Sequence, residues 1–386
     1  MDFTLSEEQT AFRDVLQHFV KREIIPVAHE WEREGRYPTE IVEGMKEMGL
    51  FGMLVPAEYG GMDVDAVSYG IVFEELSRGW MGVAGILGSH SLATNLIRRY
   101  GTEEQKQAYL PKLATGEMRS GIALTEPGAG SDLQGISTTA TKDGDSYVIR
   151  GTKTWITNAR HANVLPVLVK TDPSASPAHK GMSVLLVDAH LDGFAVSKDI
   201  PKLGYKGTES CEVVLDNVRV PAEALLGGVE GLGFKQSLAA LEIGRINVAA
   251  RSVGLAQAAF DAAFSYAKQR EAFGKPIAEF QAIQLQIADM ATEIQAGRLL
   301  TWWAAAKMDS GKRSDLETGM AKLWCAEMCL RTSLTALRIH GGYGFSSEYE
   351  VSRIYRDAPL MAIGEGTSDI LRTVIARSLL RGETIV

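Results

Sequence analysis

The hydrophobic repeat changes period twice along the chain, and that change restricts the fold more than any single motif. From Ser6 to about Lys112 apolar residues recur every three or four positions. Phe12, Val15, Leu16, Phe19 and Val20 make one such stripe, and Ile41, Met45 and Met48 make another behind Thr39-Glu40. Pro56-Ala57-Glu58-Tyr59-Gly60-Gly61 interrupts the pattern as a loop, and helical patterning resumes over 67–76 and 84–99. From about Gly121 to Pro221 the period drops to two. Segments 147–149, 154–157, 164–169, 182–187, 194–196 and 211–215 read as short strands, with a turn at Asp143-Gly144. From Gly231 the helical period returns in long segments, about 234–270, 280–308 and 316–339, with a short last helix over 368–380. The expectation is an α+β chain of three domains: an N-terminal all-α domain over 1–119, a central β-barrel or sandwich domain over 120–226, and a C-terminal four-helix bundle over 227–386.

Composition removes several classes of function. Forty basic residues against 48 acidic ones leave a net charge of −8, which opposes a sequence-independent grip on nucleic acid. Cys211, Cys325 and Cys329 are too few and too poorly spaced for a disulfide framework. The seven histidines form no His-x-x-x-His or Cys/His ligand pair, so no metal site is expected. Residues 1–8 carry no basic segment followed by an apolar one, and no run of about 18 apolar residues exists. The expected location is the cytoplasm.

Four stretches could carry chemistry. Gly228-Val229-Glu230-Gly231-Leu232-Gly233 is not a G-x-G-x-x-G fingerprint, follows no strand–helix–strand alternation and reads as a connecting loop. Thr125-Glu126-Pro127-Gly128-Ala129-Gly130-Ser131-Asp132 would let backbone N–H groups and two hydroxyls approach a ligand; an irregular connection serves equally well as a reading. Trp155 is either an aromatic platform for a planar cofactor or a core residue. Glu365, between Gly364 and Gly366 and ahead of a helix capped by Thr367, Ser368 or Asp369, is either a general base in a partly dry site or an exposed turn residue.

Together these pieces resemble the acyl-CoA dehydrogenase family over essentially the whole chain. The opening helix over 5–20, 56–61, Tyr100-Gly101-Thr102-Glu103-Glu104-Gln105, 125–132, 155–158, 270–274, His340-Gly341-Gly342-Tyr343-Gly344, Tyr355-Arg356-Asp357-Ala358 and Glu365-Gly366-Thr367-Ser368 all look like family signatures in family order. The resemblance implies FAD, bound without a Rossmann motif. Residues 122–131, among them Ile122, Leu124, Thr125, Gly130 and Ser131, with Trp155 and Thr157, would line the isoalloxazine. Arg270, Phe273 and Gln281 would meet the adenosine-diphosphate part across a subunit boundary, completed by Arg338, Gly341, Gly342, Thr367 and Asp369. That arrangement implies a homotetramer, or at least a dimer.

By the same resemblance Glu365 would take the α-proton of an acyl-CoA while a hydride leaves the β-carbon, giving the 2-enoyl-CoA. Electron-transfer flavoprotein would be the acceptor. Ser131, Glu242, Arg245, Gly366 and Arg377 would contact substrate, with Arg245 and Arg377 receiving phosphates. Some members carry the base just before the arginine of the first bundle helix; that position is Gly244 here, which leaves Glu365. Gly364 stands where many straight-chain enzymes have tyrosine, implying a short, branched or cyclic acyl group. No arginine appears at 84–87, where glutaryl-type members would bind a second carboxylate, so a dicarboxylyl substrate is disfavoured. The competing readings are an acyl-CoA oxidase using oxygen and a non-catalytic flavin or CoA-binding member.

Overall fold

The computed structural model describes residues 4–384; residues 1–3 of the N-terminal segment read above lie outside the described residues. The first helix, α1 (Glu7–Phe19), opens on a reciprocal cap in which the Ser6 hydroxyl accepts from the Gln9 amide and the Gln9 side chain accepts from the Ser6 amide, both at 3.1 Å. A π turn (Val20–Ile24) carries it into α2 (Ile25–Glu34), and this change of register falls where Pro26, which has no amide hydrogen to donate, enters the helix. Then follow α3 (Thr39–Glu47), α4 (Ala66–Gly79), α5 (Met81–Tyr100) and α6 (Glu103–Thr115).

The middle of the chain is a single six-stranded sheet: β1 (Thr139–Asp143), β2 (Ser146–Thr157), β3 (Val164–Lys170), β4 (Met182–Asp188), β5 (Phe194–Val196) and β6 (Ser210–Pro221), in the order β4-β3-β1-β2-β6-β5. The expectation of a barrel is corrected here, because β4 and β5 are open edges. β5 has three residues and pairs on one side alone, so no strand is left to close the sheet. The two stretches read as separate strands at 147–149 and 154–157 are one strand, β2, with an irregularity between Lys153 and Ile156. β3 and β4 are apolar almost throughout because both their faces are covered. Leu165, Val167, Leu185 and Val187 face the sheet's own core, while Leu168, Val184 and Leu186 pack with Leu96, Ile97 and Leu110 of the helices.

The last part comprises α7 (Gly233–Gln269), a two-residue hairpin of β7 (Glu271–Ala272) and β8 (Lys275–Pro276), α8 (Gln281–Asp309), α9 (Asp315–His340), α10 (Glu350–Ile363) and α11 (Ser368–Leu380). The α2 and α10 helices were not resolved as separate elements by the periodicity. One continuous core joins residues of α4 and α5 to those of α7 and α9, so the N-terminal helices and the bundle are packed as one body. Cys211, Cys325 and Cys329 are free and buried, as expected of core residues. Among the described residues no helix is long and apolar enough to cross a membrane, and no group of three or more His, Cys, Asp or Glu could hold a metal.

Candidate active site

Glu365 lies in the link between α10 and α11 with φ 54°, followed by Gly366 at φ 95°. A left-handed non-glycine residue costs about 1–3 kcal/mol and persists where its surroundings hold it. Three contacts do so. Lys322 of α9 donates to the Gly366 carbonyl at 2.6 Å, the Thr367 hydroxyl caps α11 by accepting from the Ile370 amide at 3.3 Å, and the Gly364 amide donates to Leu360 at 2.8 Å. The residue as a whole is half-buried, but its Oε2 is fully buried and has no hydrogen-bond partner among the described residues. Burial pushes the carboxyl up to about 7, while the positive charges of Arg251 and Lys322 pull it back down. Of the two readings of Glu365, the inward one is observed.

Room for this carboxylate is made by α7. A Cβ at Gly244 would fall inside the van der Waals radius of Glu365 Oε2, with a Leu92 methyl 3.1 Å away. Beyond Leu92, α5 serves as a floor through three glycines at three-residue spacing. Gly82 faces Thr208, Gly85 faces the Tyr205 hydroxyl, and Gly88 faces the Asn247 side chain, each so close that a Cβ would overlap it. Tyr205 is fixed from behind by its amide donating to Asp357 of α10 at 2.6 Å.

On the other side of α5 lies the end of β2. Asn158 donates to the Ile86 carbonyl at 2.8 Å and to Ser120 at 3.1 Å, and Ser89 donates to the Thr157 carbonyl at 3.4 Å. The irregularity in β2 puts Trp155 at φ 60° and leaves it 55% exposed, so it presents an open aromatic face and is not a core residue. The 125–132 loop is tied to the same strand: the Thr154 amide donates to Thr125 at 2.9 Å, and buried Lys153 pairs with Glu126 at 2.8 Å. Glu126 also accepts from Ser137 and Thr138; burial pushes its carboxyl up, but the Lys153 charge, and after it these hydrogen bonds, hold it down to about 2. Leu124 is buried, Ile122, Thr125 and Thr157 are half-buried, and Gly130 and Ser131 are exposed. No atom lies within 4 Å of a Cβ built at Gly128 or Gly130. An exposed indole beside an open glycine ledge fits the flavin that the sequence resemblance implies.

The remaining expected cofactor residues lie elsewhere. Arg270 and Gly341-Gly342 line a surface cleft of about 610 Å³, with the guanidinium 5.7 Å from the Tyr343 ring centroid. Phe273 is 96% exposed, and Gln281 and Arg338 are also on the surface. Twenty-six residues of α7 separate Gly244 from Arg270, about 39 Å at 1.5 Å per residue, so the two groups cannot serve one end of the same ligand within one chain. Asp369 is exposed and bonds Arg372. Of the expected substrate contacts, Glu242 accepts from the Ser314 hydroxyl at 2.8 Å, and Arg245 pairs with Asp315 at 3.0 Å. Arg245 therefore has its charge compensated at the start of α9, an organising position. Arg377 is exposed on α11.

Lys322, Tyr205, Asn247 and Arg251 were missed by sequence reasoning. For the three on helices the signal was a charged or polar residue on an apolar face, as in Arg251 amid Val248-Ala249-Ala250 and Val253-Gly254-Leu255; Tyr205 lies in the link between β5 and β6 and gave no such signal.

Models of the acyl-CoA dehydrogenase N-terminal, middle and C-terminal domains match residues 6–117, 121–218 and 231–380. The chain is 44% identical to (2S)-methylsuccinyl-CoA dehydrogenase of Cereibacter sphaeroides, over 97% of this chain and 70% of the relative. It is 41% identical to the caffeyl-CoA reductase–Etf complex subunit of Acetobacterium woodii, over 97% and 99%. The structure of butyryl-CoA dehydrogenase from Megasphaera elsdenii superimposes with a TM-score of 0.95 at 37% identity, covering 99% of this chain and 100% of that one. With all three domain models in order and the fold shared from end to end, the chain belongs to the acyl-CoA dehydrogenase family of FAD-containing oxidoreductases.

Proposed function

We propose that the chain catalyses α,β-dehydrogenation of a short, branched or cyclic acyl-CoA to the 2-enoyl-CoA, with Glu365 as the catalytic base. One observation carries this reading: a carboxylate oxygen buried without a partner, on a strained backbone, with its pKa raised to about 7. A base poised near neutral pH gains little by being stronger and loses little to protonation. Bound FAD supplies the hydride acceptor. Gly244 leaves the carboxylate free to face the substrate α-carbon, and Lys322 holds the Gly366 carbonyl so that the Glu365 backbone N–H keeps its direction. The Tyr205 and Asn247 side chains close the pocket against α5 and exclude water from its end.

Gly364 supports the acyl preference. Its φ of −69° is open to any residue, and a Cβ there would meet just Leu360, at 3.3 Å or more, so a ring could be carried and its absence leaves space. Electron-transfer flavoprotein is the proposed acceptor, supported by the relative that is a subunit of a reductase–Etf complex. A cytoplasmic homotetramer is the proposed form. The separation of Arg270 from Glu365 supports flavin pockets shared between copies, as do the exposed Phe273, Leu285 and Phe345.

The test is Glu365→Gln in FAD-loaded enzyme, followed by bleaching of the yellow flavin band on adding acyl-CoA. A loss of about 10²–10⁴-fold with FAD retained is expected for a removed general base. Unchanged bleaching would assign the chain to flavin or CoA binding without catalysis.

A further inference from the structure

The far end of the acyl pocket holds a charge with nothing to neutralise it. Arg251 is 5% exposed, and its Nε and Nη2 are buried without hydrogen-bond partners. Among the described residues no carboxylate comes within the 4.0 Å of an ion pair. Two other buried arginines each have a carboxylate: Arg245 has Asp315 at 3.0 Å, and Arg353, whose Nε and Nη1 also lack hydrogen-bond partners, has Glu350 at 4.0 Å. The Tyr205 ring, 5.5 Å from the guanidinium carbon, is neutral. A buried unpaired charge is among the costliest arrangements a fold can keep, which makes it a mark of a missing ligand.

Its placement says which ligand. Gly244, Asn247, Val248 and Arg251 fall at i, i+3, i+4 and i+7, one face of α7. Gly244 touches the Glu365 carboxylate, so Arg251 begins about 10 Å further along the same face. Long helical side chains lean toward the N-terminus, which brings the guanidinium back over the Asn247 turn, toward Glu365. The guanidinium charge acts on Glu365 from beyond ion-pair distance. Tyr205 and Asn247 plug α5 at Gly85 and Gly88, so a long chain has no way past. An acyl group ending in methyl would leave the guanidinium unpaired; one ending in carboxylate would complete it.

We propose that Arg251 binds a terminal carboxylate, so that the preferred substrates are short ω-carboxyacyl-CoA thioesters. This rests on the dehydrogenase reading above and sharpens its substrate. It also replaces the expectation drawn from 84–87: the cation comes from α7, two turns beyond Gly244, and not from residues 84–87 of α5, which include no arginine.

The experiment compares pairs of equal length, glutaryl-CoA with pentanoyl-CoA and succinyl-CoA with butyryl-CoA, by flavin bleaching with the FAD-loaded wild type, Arg251→Gln and Arg251→Lys. The wild type should prefer the carboxylate member by about 10²-fold or more in kcat/KM, because a site built for a charged group rejects the analogue lacking it. Arg251→Gln should abolish that preference mainly through KM, and Arg251→Lys should restore part of it. Wild-type preference for the methyl-ended member would overturn the proposal. So would an equal loss on both members with the acid limb of the pH profile moved upward, which would make Arg251 a positioning residue acting through Glu365. Failure of every thioester to bleach the flavin would instead remove the dehydrogenase reading itself.

Discussion

Two glutamates with buried carboxylate oxygens, each near a buried lysine, are held in opposite states. In the sheet domain Glu126 receives Lys153 at 2.8 Å, the Ser137 amide and hydroxyl at 2.6 and 2.7 Å, and the Thr138 amide at 3.0 Å. Its carboxyl is held down to about 2, and Lys153, pushed down by burial to about 8, remains charged at neutral pH. In the helical core Glu365 Oε2 has no donor, and the Lys322 ammonium donates to the Gly366 carbonyl instead. A buried carboxylate oxygen is therefore part of a structural anchor in one place and of a titratable base in the other. The number of hydrogen bonds to the charged form decides between them.

The largest test of this contrast is Lys153→Met. It leaves Glu126 charged and buried, and should lower the unfolding free energy by about 3–5 kcal/mol in urea titration. Next is Gly244→Ala, whose Cβ must displace the Glu365 carboxylate; turnover should drop about 10²-fold with circular dichroism unchanged, the scale of a misplacement near 1 Å. The wild-type kcat/KM should fall below a pH of about 7, where Glu365 takes up its proton. Lys322 lowers that pKa, so Lys322→Met should move the midpoint to higher pH, by roughly one unit. Smallest is Thr367→Ala, which removes the α11 cap and should cost about 1 kcal/mol in thermal unfolding.

The two glutamates also load the fold in opposite senses against pH. Glu126, depressed, contributes stability above its unfolded value near 4.3 that disappears as pH falls through about 2. Glu365, raised, costs stability as pH climbs from about 4.3 to about 7, because the folded site resists its charge.

The three-part architecture was legible because period alone separates helix from strand, and β5 at 194–196 and α11 at 368–380 were read to the residue. Sheet closure was not legible, since it depends on which strands meet at the edges and no local pattern records that. The chain break between 149 and 154 was also misread: Gly151-Thr152 interrupts the apolar alternation, but its backbone still pairs with Val214 and Leu215 of β6. At the site, Glu365 and Trp155 stood out as unusual residues among glycines or hydroxyls. Arg251 and Lys322 did not, because a charge within a helix reads as a solvated face until the neighbouring helices are in place.

The glycines at 82, 85 and 88 have a consequence for how the molecule folds. Those at 85 and 88 each cost about 1 kcal/mol of helix propensity against alanine, so the first half of α5 has little reason to be helical alone. What fills the three gaps comes from distant chain: Thr208 and Tyr205 from the link between β5 and β6, and Asn247 from α7. The floor of the pocket thus becomes ordered together with the side chains that rest on it, and a local opening that withdraws Tyr205 also loosens α5. Pocket shape and helix order are one cooperative unit, so the site cannot be half assembled.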